Sequence, residues 1–432
     1  MSETPPPRPI PKSTAEIAAI GRVRRHVAVE RARRAPFWHD KLADIDLAKL
    51  DDPSEWRKIP LLDKDALRGL SDDAFYSDFC TLEGAEVAEY WRSGGSTGRP
   101  LFYPRTRTDL HYAMEGFRRT YRIMGCKPGE RAHLSLPLGI HPAGQMWARA
   151  GELEGLAMVW AGSGANTPSE LQLDLMRMLK PGVWMGMSGY ALHLANLAEA
   201  QGRKPGGGTV RKILCTAEPL SAAKRAKIAA AFGAEIYDAF GMTEVTMMGA
   251  EDSARNGFRI WTDLVDIEVL DPKTFEPVPP GGEGVLVVTP LFTNEATPFL
   301  RWNTGDVVRW WPGGDGGGSE FDVFARVAHA HRTLGFFKVR GINLNHAEFE
   351  DFMFAQGGVR DFRVEALARD GTDSLRIEVE FARDAPDGAS AGLAAAVKKT
   401  FEITPEIAVL QAGTLAKAFE AAVKTPRFAD KR

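Results

Sequence analysis

Residues 93–100 read Ser93-Gly94-Gly95-Ser96-Thr97-Gly98-Arg99-Pro100 and are the most informative stretch of the chain. Glycines let backbone N–H groups approach a polyphosphate closely, the serine and threonine hydroxyls can donate further hydrogen bonds, and Arg99 adds positive charge. The stretch is not a Walker A loop, because no Gly-Lys-Ser/Thr follows Gly98. A flexible surface turn has a similar composition, so the loop by itself leaves phosphate binding and a plain turn both open.

Outward from this loop, amphipathic helices alternate with short apolar strands up to about residue 300. Such alternation predicts an α/β fold with a largely parallel or mixed sheet and flanking helices. The predicted helices are 109–124 and 169–179, and the predicted strands are 131–136, 157–160, 183–187, 210–216, 235–240 and 285–289.

The composition changes at residues 310–319, which read WWPGGDGGGS. Beyond them the pattern predicts a strand at 336–339, a helix at 347–355, a hairpin over 362–381, a helix at 391–401 and a strand at 408–411. We therefore predict a large N-terminal domain over residues 1–330 and a small α+β C-terminal domain over residues 336–432.

The overall composition is that of an ordinary soluble protein. The 432 residues include 44% hydrophobic and 26% charged residues, with a net charge of −3, so no global charge attracts nucleic acid or an anionic membrane. Three cysteines without Cys-x-x-Cys spacing argue against a disulfide framework or a zinc site. Neither a signal-peptide pattern nor a membrane-spanning apolar run is present, which predicts a cytoplasmic protein without a membrane partner.

Residues 90–110 (YWRSGGSTGRPLFYPRTRTDL) resemble the phosphate loop of the acyl-adenylate-forming superfamily, which includes acyl-CoA ligases, adenylation domains and luciferases. Within it, the pattern is most similar to that of the phenylacetate-CoA ligase family. That family usually has Lys where Arg99 stands, and Arg keeps the positive charge. The resemblance covers the chain after about residue 35.

Further motifs of the same superfamily follow in the expected order. The residues that the resemblance assigns to ATP or AMP binding are the loop 93–99 together with Ala217, Glu218, Pro219, Asp238, Phe240, Gly241, Met242, Thr243, Glu244, Asp306 and Arg332. It places Phe240 against the adenine, Thr243 on the α-phosphate, Glu244 on Mg²⁺ and Asp306 on the ribose hydroxyls, where two carboxylate oxygens suit a vicinal diol. A capping role for Glu218 remains an equal alternative.

The resemblance continues through the domain junction to the end of the chain. It implies a hinge at residues 331–335, a small domain that rotates between two half-reactions, and a junction segment facing coenzyme A that includes Leu334, Gly335, Lys338, Arg340 and Gly341. The hinge aspartate of the family is absent, and Gly335 can supply the needed backbone freedom. The family's catalytic lysine falls on Lys424, with Lys417 as a weaker rival.

The acid-binding pocket is assigned mainly by resemblance. The implied residues are His141, Ala143, Gly144, Ser163, Gly164, Met187, Ser188 and Tyr190. Methionine and aromatic side chains would suit a flat apolar acid, although a buried core would use the same residue types. An aryl or arylacetic acid is the first choice.

The predicted activity is therefore ATP-dependent activation of a carboxylic acid to an acyl-adenylate, followed by transfer to coenzyme A. The implied catalytic residues are Lys424, Thr243 and Glu244, the cofactors are ATP, Mg²⁺ and coenzyme A, and no structural metal is expected. The resemblance also suggests a homodimer. Two alternatives stay open: transfer of the acyl group to an amine or a carrier protein, which the altered hinge motivates, and a non-catalytic sensor of a carboxylate or nucleotide.

Overall fold

The computed structural model describes residues 8–83, 86–92, 100–218, 220–332, 336–339, 342–369, 372–417 and 427–432. Within these residues the α-helices are α1 (Thr14–Ala32), α2 (Pro53–Trp56), α3 (Lys64–Arg68), α4 (Asp72–Ala74), α5 (Arg107–Ile123), α6 (Pro142–Leu153), α7 (Ser169–Leu179), α8 (Ser188–Ala200), α9 (Ala222–Phe232), α10 (His346–Ala355) and α11 (Ala389–Phe401). None of the described helices is long and apolar enough to cross a membrane.

The strands of the first two thirds of the chain are β1 (Val87–Arg92), β2 (Phe102–Thr106), β3 (Arg131–Leu134), β4 (Ala157–Trp160), β5 (Val183–Gly186), β6 (Lys212–Thr216), β7 (Glu235–Met242), β8 (Thr246–Glu251), β9 (Phe258–Ile260), β10 (Val265–Leu270) and β11 (Glu283–Pro290). The remaining strands are β12 (Trp302–Trp311), β13 (Arg326–Arg332), β14 (Phe336–Val339), β15 (Ile342–Asn345), β16 (Val359–Arg369), β17 (Thr372–Phe381), β18 (Glu406–Leu410) and β19 (Phe428–Asp430).

The chain divides into two compact units. The first comprises residues 1–129, 138–157 and 237–333, and the second comprises residues 130–137, 158–236 and 334–432. The second unit therefore joins the C-terminal hundred residues with a central portion of the chain.

Antiparallel pairing dominates the first unit. Its strands lie in the order β10-β11-β12-β13-β9-β8-β7, and each neighbouring pair is antiparallel. The short connections explain this arrangement, because a connection such as residues 243–245, between β7 and β8, can only join antiparallel neighbours. A large apolar core, which includes Trp38, Phe79, Tyr103, Met248 and Phe299, packs on these strands.

The second unit contains the parallel pairing. β3 pairs with β5 and β5 with β6, in both cases parallel, and helices separate these strands along the chain. Farther along the chain, β14 pairs with β15, and the strands β18-β17-β16-β19 form a mixed sheet beside α10 and α11. The predicted α/β fold with mixed sheets and flanking helices is confirmed, although the parallel part is smaller than the alternation suggested.

Local signals place several elements where the sequence predicted them. α7 and β4 have the predicted bounds, whereas α5 begins at Arg107 rather than at residue 109. The side chain of Thr106 accepts from the N–H of Asp109 while the Asp109 carboxylate accepts from the N–H of Thr106, which is a capping box. This cap fixes the helix start because it satisfies N–H groups that have no partner inside the helix.

Candidate functional site

The turn between β7 and β8 carries Thr243 and Glu244. The side chain of Glu244 is buried, and its Oε1 accepts hydrogen bonds from the Lys64 ammonium at 3.1 Å and from the Tyr103 hydroxyl at 3.2 Å. Burial raises the pKa of Tyr103 well above its ordinary value, and the neighbouring Glu244 carboxylate adds to that shift. The site therefore combines an acceptor carboxylate, a cation and a neutral hydroxyl donor.

Arg105 fixes the backbone of this turn. Its guanidinium is fully buried and donates to the carbonyl oxygens of Thr243 at 2.7 Å and Glu244 at 2.9 Å, as well as to the hydroxyl of Thr297 at 2.8 Å. Burial lowers the pKa of Arg105, while nearby acidic groups, Asp109 foremost, act in the opposite direction. A planar guanidinium with several fixed donors is suited to holding two successive carbonyl groups in one geometry.

Phe240 and Asp306 meet at His329. The Asp306 side chain on β12 is buried, and its Oδ1 lies 3.1 Å from Nε2 of His329 on β13. The ring of Phe240 on β7 lies 6.2 Å from the His329 ring and 5.3 Å from that of Phe258. The structure thus brings together the aromatic and the carboxylate that the resemblance assigned to adenine and ribose.

Close backbone packing explains the glycine of this motif. A Cβ at Gly241 would lie 2.6 Å from the carbonyl oxygen of Thr246 and 3.0 Å from Cα of Met247, so only glycine fits between β7 and β8 here. Nearby, the N–H of Asp238 donates to the Glu251 carboxylate at 2.8 Å, and Met242 is half-buried against the apolar core. These residues shape the strand that presents Phe240, Thr243 and Glu244.

Glu218 belongs to the second unit, where it caps a helix. Its carboxylate accepts from the N–H of Gly189 at 2.8 Å and from the hydroxyl of Ser188 at 3.3 Å, at the N-terminus of α8. A carboxylate is stabilised there by the unpaired N–H groups and the helix dipole. The preceding Ala217 has φ of 66°, an unusual left-handed conformation for a residue with a side chain. The capping alternative for Glu218 is therefore seen directly.

The residues predicted for the acid pocket fall into both units. In the first unit, His141 precedes α6 as its N-cap residue, Ala143 is half-buried and Gly144 is buried. In the second unit, Ser163 contacts the Asn166 amide oxygen at 3.2 Å, Gly164 is buried, and Met187 is the N-cap residue of α8. The first three of these residues thus belong to the first unit and the last three to the second.

Ser188 and Tyr190 use their hydroxyls inside the second unit. The Ser188 hydroxyl donates to Glu218 and lies 3.2 Å from the Lys224 ammonium, while the Tyr190 hydroxyl lies 2.8 Å from that of Ser169. Both side chains are almost completely buried. Their observed contacts are those of packed core residues.

Several predicted residues lie outside the described part of the chain. They are Ser93, Gly94, Gly95, Ser96, Thr97, Gly98, Arg99, Pro219, Leu334, Gly335, Arg340, Gly341 and Lys424. Arg332 ends β13, where its backbone pairs with that of Asp306, but its side chain is outside the description. Lys338 is exposed on β14, and its carbonyl oxygen accepts from Arg432.

Sequence reasoning missed Lys64, Tyr103 and Arg105. Lys64 stands in a short helix 180 residues before Glu244 and carries no recognisable signal. A sequence signal does exist for Arg105, because it stands in a largely buried strand, β2. A buried arginine must find hydrogen-bond partners for its N–H groups.

Comparisons with known proteins agree with these motifs. A protein-family model described as "AMP-binding enzyme" matches residues 81–290. A phenylacetate-coenzyme A ligase from Pseudomonas putida is 27% identical over 390 residues, which cover 84% of this chain and 83% of that protein. A phenylacetate-coenzyme A ligase from Thermus thermophilus is 30% identical over 279 residues, 63% of this chain and 61% of that protein.

Among solved structures, 2-hydroxyisobutyryl-CoA ligase in the postadenylation state, in complex with R3-HIB-AMP, has a similar fold. The TM-score is 0.83 at 21% sequence identity, and the match covers 98% of this chain and 91% of the other. At this level of identity the likeness concerns the fold.

Proposed function

Because this chain belongs to the acyl-adenylate-forming superfamily, we propose that it activates a carboxylic acid with ATP and then transfers the acyl group to coenzyme A. The observation that carries the proposal is the first unit's arrangement, in which buried Glu244 pairs with Lys64 while Phe240 and Asp306 both contact His329. The likeness to phenylacetate-CoA ligases favours an aryl or arylacetic acid.

Asp306 and Phe240 account for nucleoside recognition. A buried carboxylate offers acceptor oxygens to the two ribose hydroxyls, and hydrogen bonds to a charged acceptor are stronger than neutral ones. Phe240 supplies a flat apolar surface on which an adenine ring can stack. His329 holds the Asp306 carboxylate in place and packs edge-on against Phe240, so the two contacts are positioned together.

Glu244 is the residue that would hold Mg²⁺. The fit is chemically sound, because Mg²⁺ prefers carboxylate oxygens and usually binds through one or two carboxylates together with substrate phosphates. The Glu244 carboxylate already faces one cation, the Lys64 ammonium at 3.1 Å. When bound, the metal neutralises negative charge that develops on the pyrophosphate.

In the first half-reaction the substrate carboxylate attacks the α-phosphorus of ATP. A new P–O bond forms, the bond between the α-phosphorus and the bridging oxygen breaks, and pyrophosphate leaves with the electron pair. Thr243 would contact the α-phosphate, and Arg105 keeps the Thr243 backbone fixed through its carbonyl oxygen. Lys424 and the loop 93–99 are proposed to stabilise the charge on the transferring phosphoryl group.

In the second half-reaction the thiol of coenzyme A attacks the carbonyl carbon of the adenylate. The thioester C–S bond forms, the C–O bond to AMP breaks, and the thiol proton is released. No protein nucleophile is required. We propose that residues 336–432 act as the small lid domain and residues 331–335 as its hinge, with Gly335 absorbing the backbone change.

The deciding experiment is ATP–pyrophosphate exchange with a panel of aryl, arylacetic, heteroaromatic and aliphatic acids, followed by product analysis with coenzyme A. Acid-dependent exchange that collapses in Lys424→Ala, with thioester formed on adding coenzyme A, supports the proposal. Lys417→Ala is the matched control for the rival lysine and is expected to retain exchange.

Two other outcomes would redirect the assignment. ATP–pyrophosphate exchange without thioester, but with a product formed from an added amine or carrier protein, would show that this added molecule, and not coenzyme A, accepts the acyl group. If calorimetry shows nucleotide binding but no acid supports ATP–pyrophosphate exchange, the protein would be assigned as a non-catalytic sensor of the same fold.

A further inference from the structure

A chain of buried charges runs through the second unit. The Lys224 side chain, at the start of α9, is 2% exposed, pairs with the Glu350 carboxylate on α10, and places Nζ 3.2 Å from the Ser188 hydroxyl. The other oxygen of Glu350 lies 3.7 Å from Nε of Arg427, which also pairs with Asp361 on β16. We call Lys224, Glu350, Asp361 and Arg427 the buried ion network.

Arg427 is held in this network as a cation. Its guanidinium lies over the rings of Phe354 at 5.0 Å and Phe362 at 5.4 Å. Burial by itself lowers the pKa of Arg427, but the carboxylates of Asp361 and Glu350 outweigh that effect and raise it overall. The Arg427 guanidinium is therefore held in its charged form.

The network reaches the nucleotide motif at one end. The Ser188 hydroxyl donates to Glu218 at 3.3 Å and also contacts Lys224, so one hydroxyl links Glu218, which the resemblance assigns to nucleotide binding, to the network. The Glu218 carboxylate also contributes to the raised pKa of Arg427. At the other end, Arg427 begins the last described segment of the chain and stands three residues after Lys424 in the sequence.

Weaker contacts surround the network and join the same segments. The N–H of Ala223 donates to the Asp351 carboxylate at 2.8 Å, and the Lys227 ammonium donates to the carbonyl oxygen of Val359. Arg427 also donates to the carbonyl oxygen of Phe362 at 3.0 Å. The segment 188–227 is thus tied to residues 346–362 by charged and polar groups. Within the C-terminal residues themselves, the ring of Phe428 also packs against those of Phe349 and Phe362.

We propose that Lys224 and Glu350 are positioning residues for the adenylation half-reaction, which hold the C-terminal segment through Arg427 so that Lys424 can act. The inference rests on the proposed function. A buried charge that loses its partner is strongly destabilising, so the network defines one arrangement closely. Charged groups regain hydration when they become exposed, so the same contacts can separate before thioester formation.

The test compares the two half-reactions in Lys224→Met and Glu350→Gln. ATP–pyrophosphate exchange is expected to fall at least tenfold, whereas thioester formation from supplied acyl-adenylate and coenzyme A stays within threefold of the wild type. Lys224→Arg keeps the charge and is expected to restore exchange to within threefold. Glu199→Gln is the matched control. Glu199 lies on α8, the helix that also carries Ser188, and its exposed carboxylate pairs with Arg360 of β16 at 3.6 Å. Equal losses in both half-reactions, or no loss in either, would overturn the proposal.

Backbone amide hydrogen exchange tests the network without catalysis. In Glu350→Gln, the amides of β19 (Phe428–Asp430), which pairs with β16, are expected to exchange at least tenfold faster, while those of β18 and its partner β17 keep their protection. Unchanged protection of β19 would contradict the positioning role. If the wild type shows no ATP–pyrophosphate exchange with any acid, the proposed function fails, and the amide measurement still decides whether the network holds this segment.

Discussion

At the scale of single residues, the Glu244 carboxylate of the first unit is buried beside a cation, Lys64, that is itself partly exposed. Glu244 is held by hydrogen bonds from Lys64 and Tyr103. The partial exposure of Lys64 lets its ammonium exchange one anionic partner for another, for example Glu244 for a phosphate. Charge balance around Glu244 is thus the property to test.

Replacing Glu244 by glutamine removes the charge with almost no change in size. We expect the Mg²⁺ concentration for half-maximal ATP–pyrophosphate exchange to rise at least about tenfold, because even the loss of a group that only hydrogen-bonds to a metal ligand costs about ten- to hundredfold in metal affinity. Lys64→Met is expected to lower that concentration, because the ammonium that donates to Oε1 would compete with a bound metal for this oxygen. Titrating Mg²⁺ at saturating ATP measures both shifts, with Glu283→Gln as the control, because Glu283 is the exposed first residue of the otherwise buried β11. A rise in both variants would refute the competition.

The nucleoside contact can be tested through the ribose. If Asp306 accepts from both hydroxyls, the wild type should use 2′-deoxy-ATP with a kcat/KM about 10–100-fold lower than for ATP, as expected for one hydrogen bond to a charged group. In Asp306→Asn the preference for ATP should shrink by about tenfold, because the amide is a weaker acceptor. An unchanged preference in a variant with a normal urea unfolding midpoint would remove Asp306 from the ribose site.

At the scale of secondary structure, the packing of α5 on β8 supports the strand that follows the Glu244 turn. A Cβ added at Gly116 of α5 would lie 2.4 Å from the carbonyl oxygen of Met247. The carbonyl oxygen of Gly116 itself accepts a hydrogen bond from the Trp261 indole at 3.2 Å. The absence of a side chain therefore sets how closely the helix approaches the sheet.

Gly116→Ala is expected to destabilise the protein by about 1–3 kcal/mol through overpacking, visible as a lower urea midpoint by circular dichroism. Gly392→Ala in α11 is the matched control, because nothing lies within 4 Å of the Cβ that it would add. That control should leave stability unchanged or raise it by up to about 1 kcal/mol, since alanine favours helix formation. Equal effects of the two variants would mean that the close approach at Gly116 does not matter.

At the scale of the whole molecule, the buried His133 and the half-buried His346 link folding to pH. His133 of β3 is completely buried and lies 3.1 Å from the amide oxygen of Gln172, and burial lowers its pKa to about 4. Burial also lowers the pKa of His346 to about 4. In both cases the folded state favours the neutral ring, so the stabilisation is complete above the unfolded pKa of about 6.5 and is lost as the pH falls towards 4.

For His133 this linkage predicts a loss of about 2 kcal/mol in the free energy of unfolding between pH 7 and pH 5. Urea unfolding at the two pH values in wild type and in His133→Gln measures it, because the variant cannot take up the proton. The wild type is expected to lose more stability than the variant by about that amount. Equal losses in the two proteins would show that His133 does not carry the pH dependence.

The sequence by itself determined the elements and the order of the motifs. The helical and alternating patterns placed α7, β4 and the C-terminal hairpin because periodicity and turn residues act over a few neighbours. The resemblance to a known superfamily, rather than periodicity, singled out Phe240, Thr243, Glu244 and Asp306, which lie in β7, in the turn after it and in β12. The hinge position and the role of Lys424 stay predictions.

Only the tertiary structure decided which of these residues meet. Glu244 is 141 residues from Tyr103 and 180 from Lys64, and no local pattern encodes such contacts. The antiparallel order of β7 to β13 and the pairing of Lys224 with Glu350 depend likewise on topology and register. Local propensities fix where a strand or helix begins, whereas the burial of charged side chains depends on the partners that the fold brings beside them.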